Sequence, residues 1–187
     1  RAYRAFRPDA RNASGGVVHP VNTEIAAPRP PALLFFLLLL LIAAGLQSTV
    51  AGAIQYRGAH PDIVLTVALS AALLSDASVG CLTGVVGGLI SGSVVGKTLG
   101  TFLISRALAG YLAGAITTRL YRGNAAVILL GVFIGSVAAE TIYGFSVPRL
   151  TLSHWIGNIL LGAAMNALLA LPMSFLLHRF GWGNGRL

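Results

Sequence analysis

The stretch "GCLTGVVGGLISGSVVGKTLG", Gly80 to Gly100, admits two opposed readings. Its end, Gly96-Lys97-Thr98 after a glycine-rich lead, looks like a phosphate-binding loop. That loop needs G-x-x-x-x-G-K-[ST] between a strand and a helix, so that backbone N–H groups converge on phosphate oxygens. The spacing fails. The first glycine belongs at position 91, which is Ser91, and Gly92 is one residue out of phase. The run before it is a long Gly/Val/Leu segment and not a short buried strand. The second reading uses the period: Gly80, Gly84, Gly88, Gly92, Gly96 and Gly100 recur every four residues. On a helix, i and i+4 lie one above the other, so these glycines form a ridge without side chains. Such small-xxx-small ridges let membrane helices pack backbone to backbone. Each step drifts by about 40° at 3.6 residues per turn. Three or four of the glycines from Gly80, Gly84, Gly88 and Gly92 can therefore serve one neighbour and the next ones another, with the later Gly96 and Gly100 expected to loosen the turn around Lys97. The pattern fits a neighbouring helix of this chain, of a partner or of a second copy.

The surrounding composition favours the membrane reading. Hydrophobic residues make up 56% of the 187 residues and charged residues 10%, against about a quarter charged in soluble domains. A sphere of this size cannot bury so much apolar surface, so lipid must solvate much of it. The class expected is an all-α integral membrane protein. The net charge of +8 would point to nucleic acid in a soluble chain, but positive charge flanking membrane spans sets topology, and no nucleic-acid partner is expected. Cys81, the lone cysteine, reads as a packing residue. His19, His60, His154 and His178 show no metal-ligand spacing. The acidic residues are Asp9, Glu24, Asp62, Asp76 and Glu140, and they build no Ser–His–carboxylate trio. The expectation is a non-enzyme with no metal and no cofactor.

Residues 1–31 carry Arg1, Arg4, Arg7, Arg11 and Arg29 with several Pro and Gly. This composition predicts a basic, mostly disordered tail. A six-helix membrane domain over 32–180 and a short tail over 181–187 follow. The charge-free runs are Ala32–Ala53, Ile63–Leu74, Ser78–Val95, Leu99–Thr118, Ala125–Phe145 and Trp155–Leu177. Most approach the ~20 residues that cross a bilayer. The second is short, and reads as a crossing, a half-crossing or a helix buried by its neighbours. "AGA" at Ala51–Ala53 imitates a signal cleavage site, but the long lead and the spans that follow argue against cleavage. With six crossings, the five tail arginines, Arg119, Arg122, Arg179 and Arg186 share the cytoplasmic side with both termini. Arg57, Lys97 and Arg149 fall outside. This asymmetry obeys the positive-inside rule, and Tyr56, Tyr121, Tyr143, Trp155 and Trp182 fall at span ends as interfacial anchors.

Arg106 and Glu140 are the charged residues inside spans. Each costs about 2.5–3.5 kcal/mol on insertion scales, so each requires a reason. Arg106 lies seven residues past Leu99 and Glu140 five before Phe145, which puts both in the outer leaflet on consecutive spans. They pair or line a shared polar cavity, or else Arg106 snorkels outward and Glu140 is protonated. Asn158 and Asn166, eight residues apart on the last span, share a face and suit interhelical hydrogen bonds. Pro172 is expected to kink that span.

Taken together, "PDIVLTVALSAALLSD", the glycine ridge, "RALAGYLAGAI" and "NALLALPMSFLLHRF" resemble the bacterial rod shape-determining protein MreD family, from about Pro61 to Phe180. The chain departs from that family in "GGLISGS", where Ser91 stands in a segment that often carries an acid. The resemblance implies a non-enzymatic scaffold of the cell-wall elongation complex in the inner membrane. It implies binding to the single-span protein MreC, and a link between MreB filaments and the polymerase RodA with its transpeptidase. It also implies a compact bundle similar to the substrate-binding subunits of energy-coupling-factor vitamin transporters. Those subunits supply the alternative function, a vitamin-transporter substrate-binding subunit that holds a small molecule in an outer-leaflet cavity, with Ala44, Ser48 and Gly52 as its docking ridge.

Overall fold

In the computed structural model, the described residues are 30–49, 53–96, 98–117, 124–146, 152–180 and 182. The basic tail up to residue 29, Lys97, Arg119, Tyr121, Arg122, Arg149 and residues 183–187 lie outside them. The apolar runs fold as six helices: α1 (Pro30–Thr49), α2 (Ile63–Leu73), α3 (Ala77–Val95), α4 (Leu99–Thr117), α5 (Ala125–Ser146) and α6 (Leu152–Arg179). Among the described residues, four of them, α3, α4, α5 and α6 from His154, are long and apolar enough to cross a membrane. The chain is a multi-pass helical membrane protein.

Helix α2 is the exception that organises the rest. Its 11 residues rise only about 16 Å, roughly half of a hydrocarbon core. Every one of them is buried, and α2 packs against all five other helices. Its sequence explains this, since it carries no charge and its two hydroxyl residues, Thr66 and Ser70, give it no polar face to offer solvent. Of the arrangements the sequence left open for this segment, the structure shows burial by neighbours. Leu65, Leu69, Ala72 and Leu73 pack with Ala109, Ala113, Val132 and Ala170 of the later helices. On the other side, Val64, Val67 and Ala71 meet Phe36, Leu40 and Ala43, one stripe of α1.

The phosphate-loop candidate is not strand, loop and helix. Helix α3 continues to Val95 and ends at Gly96, which adopts the left-handed conformation (φ 69°) of a C-cap. Antiparallel α4 then returns along α3. A Cβ on Gly80 would run into the carbonyl oxygen of Gly110, on Gly84 into that of Arg106, and on Gly88 into that of Phe102. Gly92 faces Leu99, and Gly110 and Gly114 reciprocate from α4 against Gly80 and Asp76. The glycine period thus lets two backbones touch within one chain. Gly100 meets nothing.

The two ends of the bundle are marked by contacts. At one end Phe180, after α6, stacks on Phe35 of α1 with ring centroids 3.9 Å apart. Trp182 is not an interfacial anchor but is buried at 1% exposure, donating from Nε1 to the Ala71 carbonyl at 2.9 Å beneath α2. At the other end the α1–α2 loop lies against α6, with Gly58 beside the Asn158 amide. Helix α6 runs unbroken through Pro172.

Candidate functional site: a buried charge cluster

A helix that starts buried in a bundle exposes N–H groups that water cannot satisfy. Helix α2 solves this with side chains from two other helices and its own cap. Asp62, the N-cap, accepts from the Leu65 N–H at 2.9 Å through Oδ1. Gln47 of α1 accepts from the Val64 N–H at 3.0 Å. Asn166 of α6 accepts from the Asp62 N–H at 2.8 Å through Oδ1, while its Nδ2 donates to Ser136 Oγ of α5 at 3.1 Å. Thr66 Oγ1 donates back to the Asp62 carbonyl at 2.8 Å.

Into this cap comes a charge. Arg106 is 1% exposed, and its Nη2 donates to Asp62 Oδ2 in a buried ion pair. The same nitrogen lies 3.8 Å from Glu140 Oε1, whose side chain is about one-third exposed. Helical side chains lean toward their own N-terminus, which carries the guanidinium up over residue i−4. That residue is Phe102, whose ring centroid lies 4.2 Å from Cζ, within cation–π range. Arg106 therefore rises toward the N-terminal end of α4 and ends on Asp62. Its Nε and Nη1 meet no acceptor among the described residues, so the Phe102 face is what lies against the rest of the group.

The glycine ridge has a part in this geometry. Gly84 touches the Arg106 carbonyl and Gly88 the Phe102 carbonyl, so α4 lies close enough for Arg106 to reach the start of α2. Small residues act likewise on α5, where Gly131 and Gly135 abut Leu73 and Leu69. Of the residues singled out from the sequence, the structure brings Arg106, Glu140 and Asn166 into one cluster. It sets Asn158 apart, against the α1–α2 loop. Asp62, Gln47, Ser136 and Phe102 had not been singled out as site residues. Asp62 alone left a signal, Pro-Asp ahead of an apolar run, which is a helix-start signature. Chemically the cluster is one cation between two carboxylates, with one carboxylate committed to a helix cap. With Gln47 it joins five helices, α1, α2, α4, α5 and α6. No group of three metal-ligating side chains occurs among the described residues.

A family model describing rod shape-determining protein MreD matches residues 31–180. The chain belongs to the MreD family. That match takes in all six helices but for Pro30 and covers every member of the charge cluster. Membership gives it a role in rod shape determination, within a family of membrane proteins not known as enzymes. No curated protein and no solved structure matches the chain.

Proposed function

We propose that this MreD-family chain is a non-enzymatic scaffold of the bacterial cell-wall elongation complex that binds an MreC-like single-span protein. The family match over residues 31–180 carries the reading. RodA, its transpeptidase and MreB are the further partners it would join, at the inner membrane. The geometry supports a scaffold because the unusual features are spent internally. The glycine ridge is occupied by α4, and the buried cation is held by Asp62. Surfaces for a partner helix therefore lie elsewhere, and the outer stripe of α1, with Leu34, Leu38 and Leu41 all more than half exposed, is one such surface.

The chain would cross six times with both termini cytoplasmic, α2 being carried across by its neighbours. In support, the α1–α2 loop and the end of α6 lie at opposite ends of the bundle.

Co-expression with the MreC-like protein of the same organism tests the scaffold. A complex that survives purification is expected. Leu38→Trp on α1 should weaken it while the chain alone stays monodisperse. Absence of any complex from a monodisperse chain would overturn the reading.

A further inference from the structure

An open groove of about 800 Å³ lies between the α1–α2 loop and the first turns of α6, outside the charge cluster. Volumes of this order hold a drug-sized molecule. Its wall on α6 is the stripe His154, Asn158, Leu161 and Ala164, spaced by four, three and three residues so that it follows one helix face. The stripe descends about 15 Å and changes character on the way, from imidazole and amide to bare aliphatic. A water-soluble metabolite has no use for that gradient. An amphiphile lying across a membrane interface matches it.

The opposite wall supplies charge. Arg57 and Tyr56 line the groove from the loop, with the guanidinium 5.6 Å from the Tyr56 ring centroid. The loop is a pinned turn: Tyr56 and Ala59 exchange backbone hydrogen bonds of 2.9 and 3.0 Å. Ala59 is buried, and Gly58 abuts Asn158. Arg57 is thereby presented from a defined position. Among the described residues no carboxylate lines the groove, and none occurs in the first turn of α6, whose N-terminal end favours anions. Cationic and amide donors at one level, apolar wall below, and no acid define an anionic headgroup with an acyl chain.

We propose that this groove binds a phosphate-bearing membrane lipid, its headgroup held by Arg57, His154 and Asn158 and its acyl chain along Leu161 and Ala164. Arg57 and His154 are both exposed, so replacing them leaves the core intact.

The test is native mass spectrometry of the full chain in detergent, titrated with phosphatidylglycerol. The expected result is one saturable lipid per chain. Its affinity should fall at least tenfold in Arg57→Gln/His154→Gln and in Leu161→Trp, and stay unchanged in Arg179→Gln, an exposed cation at the far end of α6. Uncharged diacylglycerol and water-soluble glycerol phosphate are the competitors. Equal binding of diacylglycerol would show a merely apolar groove. Equal binding of glycerol phosphate would show a simple anion site, and equal retention by the double variant would show lipid held elsewhere. Each of these overturns the proposal.

Discussion

With Asp62 removed, Arg106 would keep its full charge in a site 1% exposed, with Glu140 3.8 Å away as the nearest remaining carboxylate. Stranding one partner of a buried ion pair costs about 3–5 kcal/mol, and α2 would lose its N-cap as well. Asp62→Ala should therefore lower the thermal midpoint of the detergent-purified chain far more than Glu140→Gln, whose side chain is partly exposed. Removing both charges is a different matter. Arg106→Met with Asp62→Asn keeps the cap acceptor and leaves no buried charge unpaired, and only the partly exposed Glu140 loses its nearby cation. The double variant should be less destabilised than the sum of the single changes, as coupled neighbours require. Additive losses in a thermal-shift cycle would show that the two groups do not act as a pair. Asn166→Ala is a milder case. It leaves the Asp62 N–H and the Ser136 hydroxyl without their partner, at about 1–3 kcal/mol for a buried group.

Among the elements, the glycines divide sharply by what faces them. A methyl on Gly84 would occupy the space of the Arg106 carbonyl, whereas a methyl on Gly45 of α1 meets nothing within 4 Å. Gly84→Ala should force α3 and α4 apart, and overpacking of this kind costs about 1–3 kcal/mol or more. Gly45→Ala should be neutral or stabilising by about 0.5–1 kcal/mol, because an exposed helical glycine carries an entropy cost. Thermal midpoints of the two purified variants decide it, and equal shifts would contradict the α3–α4 contact. This contrast also shows what could be read from sequence. The period of four is a property of one segment, and so the ridge from Gly80 to Gly92 was legible without coordinates. Which helix it faces is a tertiary fact. Likewise Arg106 announced itself as a charge in an apolar run, but its nearest partner, Asp62, stood at the edge of a short run and read as a bracket. A short helix that begins buried among its neighbours places its cap where sequence suggests a loop. Gln47, Ser136 and Phe102 carry no period, spacing or charge that would have marked them. Trp182 misled for a related reason: a tryptophan after the last span fits an interfacial belt, and only the fold reveals the hole it fills beneath α2.

At the scale of the whole molecule, a short central helix is closed at one end by the charge cluster and at the other by Trp182. Trp182→Ala should cost about 3–5 kcal/mol, the range for emptying a buried aromatic site. Trp182→Phe keeps most of the volume and loses chiefly the bond to the Ala71 carbonyl, about 1 kcal/mol. The same central helix decides the topology. Five helices separate Ile54 from Phe180, and the two residues are 52% and 53% exposed at opposite ends of the bundle. If α2 counts as a crossing, they face opposite sides of the membrane; if it does not, parity puts them on the same side. In a Cys81→Ala background, a membrane-impermeant maleimide applied to intact spheroplasts should label Ile54→Cys at once. Phe180→Cys should react only after permeabilisation. Labelling of both from outside, or of neither, would mean that α2 turns back within the bilayer, and the cytoplasmic assignment of both termini would fall with it.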